Sequence, residues 1–185
     1  MTAKKTKSRG GARLTHLDQR GRLVMVDVGA KPITRREAIA RGQVAMEPAT
    51  LVAIIAGGLK KGEALAAARV AGIMAAKRTH EIIPLCHQIA LDVVEVEFRP
   101  SAAKSALEIE ARAVTSARTG VEMEAMVAVS AAALTIYDMA KSIDRAMQIG
   151  AIRLIAKSGG RSREFRRAGE PTEPFGRSTA ARRSK

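Results

Sequence analysis

Residues Gly120 to Gln148, GVEMEAMVAVSAAALTIYDMAKSIDRAMQ, form the longest stretch with a helical period in this 185-residue sequence. Apolar side chains recur at three- and four-residue spacing, which is typical of a helix with one buried stripe. The stripe comprises Val129, Ala132, Ala133, Ile136, Ala140, Ile143 and Met147. Thr119 or Gly120 is expected to cap the helix and Gly150 to end it. We expect this stripe to pack on a sheet.

The segments on both sides of this helix predict the sheet and two further helices. Alternating or β-branched residues predict strands at Arg22–Val28, Glu37–Met46, Ile89–Phe98, Ser105–Val114 and Ala151–Lys157. The short linker Arg99–Lys104 predicts an antiparallel hairpin. Pro48 opens a short helix that Gly57 and Gly58 stop, and an Ala-rich helix follows from Gly62 to about Thr79. This order predicts an α+β fold with an antiparallel sheet and its helices packed on one face.

Charge divides the chain into three parts. The net charge is +14, and residues 1–13 and 161–185 carry ten of these charges without any hydrophobic period. We therefore expect a disordered basic arm (1–13), a mildly basic folded body (14–160) and a disordered basic tail (161–185). Basic arms leave open an alternative function, a nucleic-acid-binding protein that contacts phosphates through its termini.

Composition excludes several other classes of protein. One tyrosine, three phenylalanines and no tryptophan exclude a base-stacking platform for single strands. A lone cysteine, Cys86, excludes an intramolecular disulfide framework and is typical of a reducing compartment. The sequence contains neither a signal peptide nor an apolar run of about 18 residues, so we expect a cytoplasmic protein.

Three side chains on the long helix are candidates for chemistry. Asp138, Lys141 and Arg145 lie on one side of the predicted helix, away from its apolar stripe. They form either a solvated ion-pair face or an acid/base pair, because neighbouring cations can lower a lysine's pKa towards neutrality.

Other short motifs have both a structural and a functional interpretation. Adjacent Cys86 and His87 cannot easily chelate one metal, so a zinc site and a Cys–His nucleophile are both weakly supported. Glu122 and Glu124 suit the positive end of a helix. The glycines of KSGG (Lys157–Gly160) could let backbone N–H groups approach a phosphate, although the spacing is not that of a P-loop.

Taken together, six ordered motifs resemble one family. They are KG (Lys61, Gly62), AAKRT (Ala75–Thr79), IPLCH (Ile83–His87), TGVEMEA (Thr119–Ala125), AALTIYDM (Ala132–Met139) followed by Lys141, and KSGG. This pattern, spread over about Leu14 to Gly160, resembles molybdenum-cofactor biosynthesis protein C, the cyclic pyranopterin monophosphate synthases. The resemblance implies a ferredoxin-like fold and a homohexamer, a trimer of dimers with active sites at subunit interfaces.

The resemblance also implies a reaction. These lyases convert (8S)-3',8-cyclo-7,8-dihydroguanosine 5'-triphosphate, a GTP-derived nucleotide, to cyclic pyranopterin monophosphate and diphosphate in molybdopterin biosynthesis. No net redox change occurs, so no redox cofactor and no protein-bound metal are expected; whether Mg²⁺ accompanies the diphosphate stays open. The anionic partner that the resemblance implies is a small nucleotide. Neither specific nucleic-acid binding nor membrane binding is therefore expected.

Site residues follow from the same resemblance, position by position. Asp138, Lys141 and Lys61 are the implied catalytic residues. The implied substrate-binding residues are Leu85, Cys86, His87, Met123, Glu124, Glu122, Lys77, Lys157 and Arg36. One departure is visible, because many members read IPLCHP where this chain has Gln88 after His87.

Overall fold

The computed structural model describes residues 17–18, 20–59, 61–161, 164–171 and 175. The predicted arm, residues 1–13, lies outside the described residues. The strands are β1 (Thr34–Ala45), β2 (Val93–Ser101), β3 (Ala106–Ala117), β4 (Gln148–Ser158) and β5 (Phe165–Arg166). The helices are α1 (Pro48–Ile55), α2 (Ala64–Lys77), α3 (Thr79–Ile82) and α4 (Glu122–Ala140).

The strands form one antiparallel sheet in the order β2-β3-β1-β4-β5. The first four strands and the two long helices follow one another as βαββαβ, with β1 and β3 central, which is the ferredoxin-like arrangement. Strands β2 and β3 form the expected hairpin through a short 3₁₀ turn at Ala102–Lys104. The prediction of an α+β fold with helices on one face of an antiparallel sheet is confirmed.

Small side chains make the core unusually close-packed. Helix α4 buries Ala128, Val129 and Ala132 completely. It packs on one side against the sheet and on another side against α2. A Cβ on Gly42 of β1 would lie 2.7 Å from Val129 Cγ1, and one on Gly72 of α2 would lie 2.9 Å from the Ala128 carbonyl oxygen. Helix α4 therefore packs closely against both the sheet and α2, which itself contacts β2, and there is no room for larger side chains at Gly42 and Gly72.

Helix α4 is shorter than predicted. It ends at Ala140, and residues 141–147 form turns before β4 begins at Gln148, so Gly150 lies in a strand. The Asp144 carboxylate accepts hydrogen bonds from the Glu47 and Ala146 backbone N–H groups, both at 2.9 Å. These bonds compete with continuation of the helix through residues 141–147. Ile143 is 56% exposed and does not belong to the buried stripe. The expected cap is also displaced, because Val121 occupies the N-cap.

Two further expectations differ from the structure. Arg22–Val28 is not a strand: an isolated bridge joins Leu17 and Leu23, and residues 24–28 have no regular hydrogen-bonding partner strand among the described residues. The segment from Arg161 contributes β5, which pairs with β4, so it is not disordered throughout. The other domain boundaries stay predictions.

Helix α4 is long and apolar enough to cross a membrane by length and composition alone. Its buried apolar residues belong to the hydrophobic core that it shares with the sheet and α2, as in a core helix, whereas Leu134 is 62% exposed.

We predict that Gly72→Ala lowers the free energy of unfolding by about 1–3 kcal/mol, because the added methyl group meets a backbone carbonyl that cannot move aside. Helix propensity alone would predict the opposite, an increase of about 1 kcal/mol in the free energy of unfolding when alanine replaces glycine. Urea denaturation measures the difference. Gly58→Ala is the control, since its Cβ would make an ordinary 3.7 Å contact. Equal effects of the two substitutions would contradict the close packing of α2 against α4.

Candidate active site

A cationic cavity of about 190 Å³ lies where β1, β3, β4 and the start of α4 meet. Four basic side chains line it, Lys31, Arg36, Arg118 and Lys157, together with residues that include Glu37, Glu122 and Gly159. Such a concentration of cations favours a polyanionic ligand.

Backbone carbonyls hold two of these arginines in place. Arg36 Nε donates to the Ala117 oxygen at 3.0 Å, and its Nη2 donates to the Arg118 oxygen at 3.1 Å. Arg118 Nε donates in turn to the Lys31 oxygen at 3.1 Å. The end of β3 and the segment before β1 are thereby joined, and these cations are organised before any ligand binds.

On the other side of the cationic cavity, side chains and backbone pack closely against two glycines, Gly120 and Gly159. The Lys157 ammonium donates to Glu122 Oε1 at 2.8 Å. The Glu122 carboxylate folds over Gly120 so closely that a Cβ there would lie 1.9 Å from Glu122 Oε2. Gly159 has φ +89°, and a Cβ there would lie 2.1 Å from the Arg35 oxygen. Only glycine fits at position 159, where the near atom is backbone and φ is positive, whereas a side chain at position 120 would displace the Glu122 carboxylate from its place beside Lys157.

A second cavity of about 400 Å³, here called the loop cavity, adjoins the first and shares Lys31, Thr119, Gly120 and Glu122 with it. Its remaining lining combines the predicted substrate loop with the start of α4 and the segment before β1: Leu85, Cys86, His87, Met123, Glu124, Val26 and Val28. The structure therefore brings together eight of the predicted substrate-binding residues around two connected cavities.

Two groups in the loop cavity have perturbed acidity. Burial, and to a smaller extent the negative charge of Glu122, raises the pKa of Glu124 to about 7. Burial and the nearby Glu124 charge raise the pKa of the Cys86 thiol, so Cys86 is not an activated nucleophile. His87 Nε2 lies 2.9 Å from the Val26 oxygen and must donate to it, which leaves Nδ1 as the acceptor in a neutral ring.

The three predicted catalytic residues form a separate cluster at the other end of α4. Lys141 Nζ lies 2.7 Å from Asp138 Oδ1, and Lys61 Nζ lies 3.0 Å from Oδ2 and 2.8 Å from the Asp138 backbone oxygen. Between 43% and 56% of each side chain is exposed. Hydrogen bonds from Lys141 and Lys61 lower the pKa of Asp138, and the bond to Asp138 raises the pKa of Lys141. Of the two alternatives, a solvated ion-pair face or a lysine with a lowered pKa, the single chain shows the ion-pair face.

Within one chain the two groups of site residues are far apart. Glu122 and Asp138 are the first and seventeenth residues of α4, which places them about 24 Å apart at 1.5 Å per residue. Lys77 lies at the exposed C-terminal end of α2 and lines neither cavity. Arg145 lies in the turns after α4, not on the helix.

The MoaC family model matches residues 25–160, which cover both cavities and the Asp138 cluster. The chain belongs to the MoaC family. Curated relatives of this MoaC chain are named cyclic pyranopterin monophosphate synthase. The protein from Pelotomaculum thermopropionicum is 59% identical over 157 residues, 85% of this chain and 92% of the relative. The protein from Chloroflexus aggregans is 62% identical over 83% of this chain and 93% of the relative.

Sequence reasoning missed several residues that line the cavities of this MoaC chain. Lys31 and Arg118 are isolated basic residues at the ends of strands, where nothing in the local pattern separates them from surface charge. Val26 was assigned to a strand, yet it reaches the loop cavity through its carbonyl bond to His87. Within the described part of the chain, no group of three or more His, Cys, Asp or Glu side chains is placed to hold a metal.

We predict that Glu124→Gln stabilises the protein above pH 7 by about 3 kcal/mol and has little effect below pH 4.5. The unfolded carboxyl ionises near its ordinary pKa of 4.5 and the folded one only near 7. Wild-type stability attributable to this group therefore falls as the pH rises through this window. Thermal unfolding from pH 4 to 8 measures the effect, and the exposed Glu81→Gln is the control. A difference that does not grow with pH would contradict the raised pKa of Glu124.

Proposed function

We propose that this protein is a cyclic pyranopterin monophosphate synthase, a lyase of molybdenum-cofactor biosynthesis. It converts (8S)-3',8-cyclo-7,8-dihydroguanosine 5'-triphosphate to cyclic pyranopterin monophosphate and diphosphate. Membership of the MoaC family and the names of its relatives support the activity. The observation that carries the assignment of the site is the pair of connected cavities, one cationic and one larger and partly apolar, at the start of α4.

The two cavities suit the two halves of this substrate. The cationic cavity binds the triphosphate through Lys31, Arg36, Arg118 and Lys157, and a phosphate oxygen competes with Glu122 for the Lys157 ammonium. The loop cavity receives the ring system. Glu124 and His87 offer hydrogen bonds there, and the pKa of Glu124 near 7 suits proton transfer during ring rearrangement.

The Asp138 cluster has a different chemical character. Its carboxylate stays ionised at neutral pH because two ammonium groups hydrogen-bond to it. We assign Asp138 the task of orienting Lys141 and Lys61. These cations stabilise the charge that develops when a substrate hydroxyl oxygen bonds to the α-phosphorus and displaces diphosphate, which leaves with the proton of that hydroxyl. The reaction needs no redox cofactor, and a Mg²⁺ ion would accompany the diphosphate as part of the substrate.

A complete active site requires two chains. The catalytic cluster and the cavities lie about 24 Å apart in one chain, so the Asp138 cluster of one subunit must complete the cavities of another. The helices expose large apolar side chains that an interface would bury, including Val52, Val70, Met74, Ile82 and Leu134. We propose a cytoplasmic homohexamer, a trimer of dimers, with its sites at subunit interfaces.

We predict that Asp138→Asn and Lys141→Ala each lower the rate of diphosphate release by at least about 100-fold, because the first removes the carboxylate that orients the two lysines and the second removes one of these cations. Release from the cyclic dihydroguanosine triphosphate measures turnover, and circular dichroism checks the fold. Lys104→Ala is the matched control, since it removes another exposed lysine–carboxylate pair, that with Glu108. Full turnover in both site variants would refute the assignment of the catalytic cluster.

We predict that two inactive variants restore activity when they assemble together. Asp138→Asn disables the catalytic cluster and His87→Ala disables the loop cavity. In a mixed dimer one shared site carries both changes and the other carries neither, so random mixing restores about a quarter of wild-type activity. Co-expression with two affinity tags isolates the mixed assembly. Absence of any recovery in verified mixed assemblies would show that each site belongs to one chain.

A further inference from the structure

The face of the sheet opposite the helices carries an unusual pair of arginines. Arg41 of β1 and Arg153 of β4 lie directly opposite each other in the antiparallel ladder. Arg41 is only 4% exposed. Like charges that face each other across two strands destabilise the pairing, and a buried cation is costly unless it is paired.

Glu170 supplies the charge that this pair needs. Arg153 Nε donates to Glu170 Oε1 at 2.6 Å, and Arg41 Nη1 lies 3.4 Å from Glu170 Oε2. On its other side Arg41 donates to Glu110 Oε2 at 2.7 Å. Glu170 thus pairs with both arginines, and without it Arg153 would lose its carboxylate partner at the β1–β4 junction.

The segment that carries Glu170 is attached to this face at further points. Arg41 Nη1 donates to the Pro171 oxygen at 2.6 Å, and the Phe175 backbone N–H donates to Glu110 Oε1 at 2.7 Å. The Phe175 ring lies between two guanidinium groups, 4.7 Å from Arg41 and 4.1 Å from Arg99. Glu170 is therefore presented by a segment with its own contacts, beyond the residues that the family model matches.

The arginine pair lies between two irregularities in the register of β4 with β1. The β1–β4 ladder shifts between Ile39 and Ala40 and again between Arg41 and Gln43, and both shifts insert an extra residue in β4. Ala151, at the second shift, has φ +52°, and its carbonyl accepts a hydrogen bond from Arg153 Nη1 at 2.6 Å. Between the two shifts the ladder contains only the Ala40–Leu154 and Arg41–Arg153 pairs.

Register matters here because β4 carries Lys157 into the cationic cavity, four residues after Arg153. A slip of one residue would turn Lys157 to the opposite face of the sheet. We propose that Glu170 is a positioning residue that holds β4 in register with β1 and thereby sets the position of Lys157 in the cationic cavity. The inference rests on the proposed function only for the identity of the natural anion.

Substitution of Glu170 by glutamine in the full-length chain tests this role. We expect binding of inorganic tripolyphosphate, measured by calorimetry, to weaken about three- to tenfold, and backbone amide exchange to accelerate in Leu154–Ser158 but not in β3. The KM of the proposed substrate should rise by a similar factor with kcat little changed. Glu164→Gln, a change of the same charge at an exposed position in the same segment, should leave all three quantities unaltered.

A suppressor separates this mechanism from a general loss of stability. Adding Arg153→Gln to Glu170→Gln removes the unpaired cation and should restore tripolyphosphate binding to within about twofold of wild type. Unchanged exchange and binding in Glu170→Gln, an equal effect of Glu164→Gln, or no restoration in the double variant would each overturn the proposal. If tripolyphosphate binding responds as expected while the wild type shows no diphosphate release, the positioning role stands and the proposed function fails.

Discussion

The close approach of helix α4 to the sheet and to α2 is the constraint on which the rest of the structure depends. Alanine and glycine bring α4 so close to β1 and to α2 that an added methyl group would lie 2.7 Å from Val129 Cγ1 at Gly42 and 2.9 Å from the Ala128 carbonyl oxygen at Gly72. This packing fixes the direction of α4. Its first turn therefore meets the ends of β1, β3 and β4, and its last turn meets Lys61 in the turn before α2.

Each end of α4 thereby acquires its own electrostatic character. Near the first turn, Glu124 is 4% exposed, and burial raises its pKa to about 7, while the neighbouring cations stay arranged around the cationic cavity. Near the last turn, Asp138 is exposed and lies between two ammonium groups that lower its pKa. One end suits proton transfer on a ring and the binding of phosphates, and the other suits stabilisation of negative charge. Neither end alone provides both.

Much of this could be predicted from the sequence, and the failures have physical causes. The helical period identified α4, and the alternation at residues 105–114 identified β3, because burial on one face leaves a direct pattern. Periodicity could not show that α4 ends at Ala140, since the turn depends on Asp144 reaching the distant Glu47. Residues 22–28 have a strand-like composition, but of them only Val26 and Val28 line the loop cavity, and Leu23 is 76% exposed. The family resemblance identified eight residues that line the two cavities, whereas Lys31, Arg118 and Glu170 make their contacts with residues that are remote in sequence.

The central claim is that one active site is assembled from opposite ends of α4 in two subunits. A crystal structure of the full-length protein with bound cyclic pyranopterin monophosphate and diphosphate tests it most directly. We expect each ligand set to lie among Lys157, His87 and Glu124 of one subunit, within hydrogen-bonding reach of Lys141 and Lys61 of the partner. Ligands held entirely by one chain, with the Asp138 cluster of every subunit remote from them, would contradict the account.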